Sequence, residues 1–303
     1  MDILVTGGTG QLGLELQRLA WPRGVKAHFP KRDVLDLANI GEIARVVASR
    51  PWAAVINAAA YTAVDRAQQE VAEAWSLNAL APAILAAETA KANIPLVHVS
   101  TDYVFSGEKT EPYVEDDRIG PLGVYGASKE GGEQGVRSGN PRHAIIRTAW
   151  LVSEHRSNFL RTVLRLADEG SPLRIVADQH GSPTSARHLA SALASVVLRL
   201  MADRSAPTGT FHVTNAGETS RHGFAVEILR LAFEERGGAP EVEAISTADY
   251  PTPARRPANS GLACGKFAQA YGISLPSWQE AAAEIVAALR GAESARQGRR
   301  RAQ

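Results

Sequence analysis

One cysteine, Cys264, stands in the whole chain. No disulfide can form within it, and a reducing compartment is expected. Long apolar runs are missing as well, so no segment reaches the length of a membrane span. The opening residues Asp2-Ile3-Leu4-Val5-Thr6 have neither the basic stretch nor the apolar core of an export signal. A soluble, cytoplasmic protein without a membrane partner is expected. Excess charge is absent: 33 basic residues against 32 acidic ones leave a formal net charge of +1. That balance gives no bulk attraction to nucleic acid or an anionic surface. Arg296, Arg299, Arg300 and Arg301 do crowd the last positions. Residues 291–303 read as a basic, flexible tail, with too little charge and no aromatic interleaving for a nucleic-acid arm.

What is present is ordinary globular composition, 45% hydrophobic over 303 residues, enough for a sizeable core. Short apolar runs at 3–6, 25–29, 53–57, 96–100 and 143–147 read as buried strands. Between them, helical spacing appears at 12–20 and 40–48, over a long alanine-rich stretch from Val71 to Ala92, and from Tyr125 to Val136. Strands alternating with helices of this length predict βαβ units and a parallel sheet. Beyond 150 the pattern thins. Helices are expected at 157–169, 186–202, 222–235 and 277–289, with short strands at 173–176, 210–214 and 242–246. The proline-rich stretch 246–261 reads as an ordered loop. No linker separates the halves. Residues 1–150 are expected to form a dinucleotide-binding domain to which later segments return, and 151–290 mainly a substrate-binding domain.

The nucleotide expectation rests on Gly7-Gly8-Thr9-Gly10-Gln11-Leu12-Gly13. Glycines at 7, 10 and 13 follow a predicted strand and open a predicted helix, the context a dinucleotide fingerprint needs. Such glycines allow a sharp turn and a close backbone approach to a pyrophosphate, which the free N–H groups of the helix start then receive. No Gly-Lys-Ser/Thr follows, so this is no Walker loop. After the second strand an NAD site carries an acidic residue for the ribose hydroxyl. Here Lys31 and Arg32 stand instead, a pair that reads either as a seat for the 2′-phosphate of NADPH or as a solvated basic loop, with Asp33 and Asp36 close behind for the adenosine.

Tyr125 and Lys129 lie four residues apart, one helical turn, on one face. An ammonium there favours the phenolate and is expected to lower the tyrosine pKa towards neutrality. That makes Tyr125 a usable acid or base. Thr101 at the end of the fourth strand and Asn57-Ala58-Ala59-Ala60 at the end of the third share the crevice where open α/β sheets bind ligands. The economical reading is a nicotinamide-dependent enzyme acting on a carbonyl or carbinol.

These pieces, with Ser100-Thr101-Asp102-Tyr103-Val104-Phe105, the Asp178–Thr184 segment and the proline–arginine loop Tyr250–Ser260, run in order through most of the chain. Together they resemble the extended short-chain dehydrogenase/reductases, and within them the dTDP-4-dehydrorhamnose reductase family. The resemblance implies an α/β fold, a Rossmann-like doubly wound parallel sheet with a smaller, interleaved C-terminal α/β substrate domain. It implies reduction of a nucleotide-sugar C4 ketone with NADPH or NADH. Tyr125 would donate the proton, Lys129 would hold the nicotinamide ribose, and Thr101 would bond the reacting oxygen. Gly10, Gln11, Leu12, Asp36, Leu37, Ala58, Ala59 and Ala60 would contact the cofactor, and Asp102, Val64 and Trp150 the sugar nucleotide. On composition alone, Trp150 reads as core.

Departures from the family pattern matter. Glu15 matches one ligand of a magnesium site seen at a dimer interface in some members. Arg187 stands where a second, acidic ligand is needed, and an arginine does not ligate magnesium. A metal is therefore not expected, and a monomer or homodimer both remain open. Gln68 replaces a common glutamate. Two alternatives stay open: another epimerase or reductase of the extended family, and a non-catalytic regulatory subunit resembling the methionine adenosyltransferase β subunit. A dehydratase is disfavoured, because Tyr103 follows Asp102 where the dehydratase acidic pair needs glutamate.

Overall fold

Alternation of side chains along short strands explains the two-sided core. The computed structural model describes residues 1–234 and 237–301, with side chains as far as residue 291. Its main sheet has six strands: β1 Asp2–Thr6, β2 Lys26–His28, β3 Trp52–Asn57, β4 Leu96–Thr101, β5 His143–Thr148 and β6 Gly209–His212. They lie in the order β6-β5-β4-β3-β1-β2, and every pair is parallel. Ile3 and Val5 of β1 point to one face, where helices Gln11–Arg18 and Ala186–Ala202 bring Leu12, Leu16, Leu189 and Leu193. Leu4, between them, points to the other face, against Ile43 of Ile40–Ala48, Leu85 of Ala81–Lys91 and Val136 of Val124–Gly139. This is a doubly wound, Rossmann-type sheet. The strand order turns back at β1, so the crevice between β1 and β3 is the switch point where such sheets take ligands.

β6 extends the sheet beside β5, and Ala186–Ala202 covers one face. Leu173–Val176 pairs with Val242–Ile245 apart from the main sheet. Helices Phe159–Asp168, Arg221–Phe233 and Trp278–Arg301 close a second core around Leu160, Val163, Phe224, Ile228 and Ile285. The expected loose tail falls mostly on side chains from 292 onward and on residues 302–303, outside the described residues, while the backbone to Arg301 is helical. No described helix is long and apolar enough to cross a membrane.

The single helix expected over Val71–Ala92 is broken. Val71–Trp75 leads into a π turn over Ser76–Leu80, and α-helix resumes at Ala81–Lys91. The Ala81 N–H reaches back to the Ser76 carbonyl, five residues away. Pro82 has no N–H to return to the Asn78 carbonyl, so ordinary helical bonding fails there. π turns of this kind often mark functional positions.

Candidate active site

After β1 the chain turns through Gly7 at φ +74°. A Cβ at Gly7 would lie 2.7 Å from the Ala58 carbonyl, and one at Gly13 would lie 2.2 Å from the Gly7 oxygen. The molecule's own packing thus demands both glycines. Gly10 differs: a Cβ there meets only the Gly7 oxygen, at 3.4 Å. Gly10 is the N-cap of Gln11–Arg18, with no side-chain cap and no acidic residue in the first turn. The helix start is left open to an anion. Ala58, Ala59 and Ala60 line the opposite wall, each half-buried. This set fits a dinucleotide.

A clasp over the turn escaped sequence reasoning. Gln11 Oε1 accepts from Ser153 Oγ (2.8 Å) and Asn158 Nδ2 (2.9 Å), and Arg156 Nε donates to the Thr9 carbonyl (2.9 Å). Leu12 and Leu37 bury their side chains in the core, so only their main chain is free for a ligand. Lys31 and Arg32 are exposed beyond β2. Arg32 Nε leans on Asp36 at 3.3 Å, and Asp36 Oδ1 accepts from the Ala38 N–H at 3.0 Å.

At the end of β4, Thr101 Oγ1 donates to Asp102 Oδ1 (2.9 Å) and accepts from the Tyr103 N–H (3.2 Å). Asp102 is 2% exposed, and its Oδ2 has no hydrogen-bond partner among the described residues. The Ser260 hydroxyl lies near this carboxyl but donates to the His180 carbonyl at 3.3 Å. Burial raises the Asp102 pKa to about 6, against the pull of Ser260, Thr101 and Arg221.

Tyr125 and Lys129 share the helix Val124–Gly139. The tyrosine keeps part of its surface open, yet desolvation of its hydroxyl pushes its pKa well above the ordinary value. The Thr101 hydroxyl opposes that rise, while Asp102 and Tyr103 add to it. The expected lowering by Lys129 is not found. The Lys129 ammonium turns away and donates to the Val99 carbonyl at 2.7 Å. Lys129 is 2% exposed, and burial brings its pKa down to about 8, partly offset by Glu133. Glu133 itself is held ionised by Arg147 (2.7 Å) and Arg137 (2.9 Å).

Two further residues position this helix. Asn78, fully buried in the π turn, accepts from the Tyr61 N–H (2.8 Å) and donates to the Tyr61 carbonyl (3.0 Å) and Ser128 Oγ (3.1 Å). Ser128 donates in turn to the Tyr125 carbonyl at 2.9 Å. Gln68 Oε1 accepts from the Val124 N–H at 3.0 Å, which satisfies one donor at the helix start. A side-chain amide at 78 carried no sequence signal beyond the proline four residues on.

Val64 and Trp150 are the remaining predicted residues. Val64 is half-buried at the start of Val64–Ala67. Asp65 next to it holds Arg256 of the proline–arginine loop at 2.8 Å. Trp150 is partly exposed and sits at φ +45°; its indole packs against Gly181, where a Cβ would lie 2.6 Å away.

Glu15, Glu154 and His155 bring ligand atoms within 4.8 Å of one another. Cations already serve this cluster: Arg18 and Arg187 lie 2.6 and 3.2 Å from Glu154, and Arg187 is 3.8 Å from Glu15. Magnesium wants hard oxygen ligands and open valences. The arrangement does not fit it.

A family model described as the RmlD substrate binding domain matches residues 1–290. The dTDP-4-dehydrorhamnose reductase of Sinorhizobium fredii is 42% identical over 95% of this chain and 98% of its own length. A crystal structure of a dTDP-4-dehydrorhamnose reductase from Clostridium acetobutylicum superposes with a TM-score of 0.89 at 36% identity, covering 96% of this chain and all (100%) of that one. The Bacillus anthracis dTDP-4-dehydrorhamnose reductase, solved in complex with NADP, gives a TM-score of 0.86 at 33% identity over 94% of this chain and 98% of that chain. With its parallel sheet, its open helix start below the glycine turn, and Thr101 beside Tyr125, the chain belongs to the RmlD substrate-binding-domain family of nucleotide-sugar reductases.

Proposed function

We propose that the chain reduces the C4 ketone of dTDP-4-dehydro-6-deoxy-L-mannose to dTDP-L-rhamnose. The observation that carries this reading is the meeting of the Thr101 and Tyr125 hydroxyls at the end of β4, beside the buried Asp102. Tyr125, with its pKa raised by burial, stays a protonated phenol at neutral pH. It is therefore set to give a proton to the ketone oxygen as that oxygen gains charge. Thr101 holds its single proton towards Asp102 in the free chain, and turning it towards the ketone oxygen gives that oxygen a second donor. Asp102, Val64 and Trp150 orient the sugar. Bound nicotinamide supplies the hydride that C4 receives.

Gly7, Gly10, Gln11, Leu12 and Gly13 cradle the pyrophosphate, with Asp36, Leu37 and Ala58–Ala60 along the adenosine and nicotinamide halves. Lys129, released from the Val99 carbonyl, takes the ribose hydroxyls. Exposed Lys31 and Arg32 favour NADPH over NADH. The NADP bound to the Bacillus anthracis relative supports the same choice. In this reading residues 1–150 serve the cofactor and 151–290 mainly the substrate. The test is NADPH consumption with the 4-keto sugar nucleotide made in situ by the upstream enzymes. Formation of dTDP-L-rhamnose supports the proposal, and cofactor binding without turnover on this sugar overturns it.

A further inference from the structure

The helix Arg221–Phe233 opens on a residue that no sequence motif marked. Arg221 lays its guanidinium 3.6 Å from the Trp150 ring centroid and 5.3 Å from that of Phe159. Trp150 is fixed for this contact by its positive φ of +45° and by Gly181, whose missing Cβ leaves room for the indole. A guanidinium stacked by its face presents its N–H edge as a rigid fork. Near it lie the Tyr103 hydroxyl and the Asp102 carboxyl, which favour its charge, and the Arg256 guanidinium, which opposes it.

Charge balance here is incomplete. Among the described residues no carboxylate comes within 4.0 Å of Arg221. Desolvation is the main effect on it, and it holds the guanidinium below the usual arginine range. Arg256 is already engaged by Asp65 at 2.8 Å. A half-buried cation with no carboxylate within 4.0 Å, facing a second cation, is only partly balanced by the Asp102 carboxyl near it. An anion between the two arginines adds to that balance, and arginine forks match phosphoryl oxygens bidentately.

We propose that Arg221, aimed by its stack on Trp150 and flanked by Arg256, recognises the diphosphate of the nucleotide sugar. The proposal rests on the nucleotide-sugar reading above and adds to it the residue that reads the phosphates. In a hexose nucleotide the diphosphate hangs on C1, across the ring from C4. The Thr101 hydroxyl lies beside Tyr125, and the Tyr103 phenol two residues on lies near Arg221.

The experiment compares wild type with Arg221→Gln and Arg221→Lys, full-length and saturated with NADPH. The readouts are kcat, KM for the sugar nucleotide, and inhibition by dTDP and by thymidine. In Arg221→Gln, KM and the dTDP inhibition constant are expected to rise together by about tenfold or more, with a smaller fall in kcat. Thymidine inhibition and the NADPH dissociation constant stay at wild-type values, and Arg221→Lys, which keeps charge without the fork, falls between. If Arg221→Gln keeps both values within about twofold of a wild type that turns over normally, this proposal is wrong and the parent reading stands. Equal losses for thymidine and dTDP overturn it too, because the arginine would then support the site as a whole. A wild type that binds no dTDP sinks both.

Discussion

The Lys129 ammonium donates to the Val99 carbonyl at 2.7 Å and stands outside the set of groups that tune Tyr125. The lysine is therefore held against the sheet, where burial makes its ammonium easier to deprotonate than an exposed one. The pairing of Tyr125 and Lys129 along one helix is a matter of sequence spacing, while the acidity of Tyr125 is a matter of enclosure.

Lys129→Met should abolish turnover and yet stabilise the fold. A lysine whose folded pKa drops from 10.5 to about 8 binds fewer protons folded than unfolded between those values. Wild-type stability then rises with pH through that window, and the cost is fully present below pH 8. The methionine variant should gain up to about 3 kcal/mol at neutral pH, and its advantage should fade as pH climbs towards the unfolded value. Urea melts of both proteins at several pH values measure the difference. A variant that is less stable at neutral pH contradicts the buried-charge argument.

Asp102 gives the opposite slope. Its folded pKa of about 6 exceeds the ordinary 3.8, so the folded chain holds the extra proton between those values. Stability from this group is complete below the lower value and is lost as pH rises through the upper one. Asp102→Asn keeps an oxygen for the Thr101 hydroxyl and removes the titration. Its stability should match wild type near pH 4 and exceed it by about 2–3 kcal/mol above pH 7. Turnover should fall, because the sugar loses an acceptor. Parallel thermal melts across this range decide it; a constant offset at all pH values would mean that burial of the carboxyl is not the cause.

Tyr125→Phe separates proton donation from binding. The phenyl ring keeps its edge contact with Tyr103, whose centroid lies 5.6 Å away, so the helix should stay in place. Ketone reduction should drop by about a hundredfold or more, while the NADPH dissociation constant measured by fluorescence remains near wild type. Retention of most activity would remove Tyr125 as the acid.

Much of the fold was legible because its signals are local. Ile3–Thr6 and Gly7–Gly13 announce a strand, a turn and a helix within a few residues, and the structure adds that Gly7 answers to Ala58 across the switch point. The boundaries of Ile40–Ala48 and Ala186–Ala202 match the apolar spacing and the flanking breakers. The later strands were found but not their partners, since pairing of Leu173–Val176 with Val242–Ile245 spans a long stretch of chain and has no local mark. The same holds for the site. Thr101, Tyr125 and Lys129 stand out by type and spacing. Gln11 under Ser153 and Asn158, or Arg221 over Trp150, become visible only when distant segments meet.

Asn78 is the sharpest case of such a hidden residue. In sequence it interrupts an alanine-rich helix; in the fold its amide closes on both backbone groups of Tyr61 and reaches Ser128, one residue before Lys129. Asn78→Ala would leave a buried N–H and a buried carbonyl of Tyr61 without partners, a loss of about 2–4 kcal/mol at typical penalties for such groups. The effect should not stop at stability. The Tyr61 turn leads directly to Val64, the proposed sugar contact, and Ser128 lies on the helix of Tyr125. Loosening both ends should lower kcat several-fold even well below the melting temperature, and amide exchange should quicken at residues 60–64 and 124–130. Asn78→Asp provides the contrast, since it keeps the acceptor for the Tyr61 N–H but loses both donated bonds. If both variants lose stability while kcat and exchange at 124–130 stay unchanged, the π turn is a folding device only, and the positioning of the Tyr125 helix comes from Gln68 and the Glu133–Arg147 pair instead.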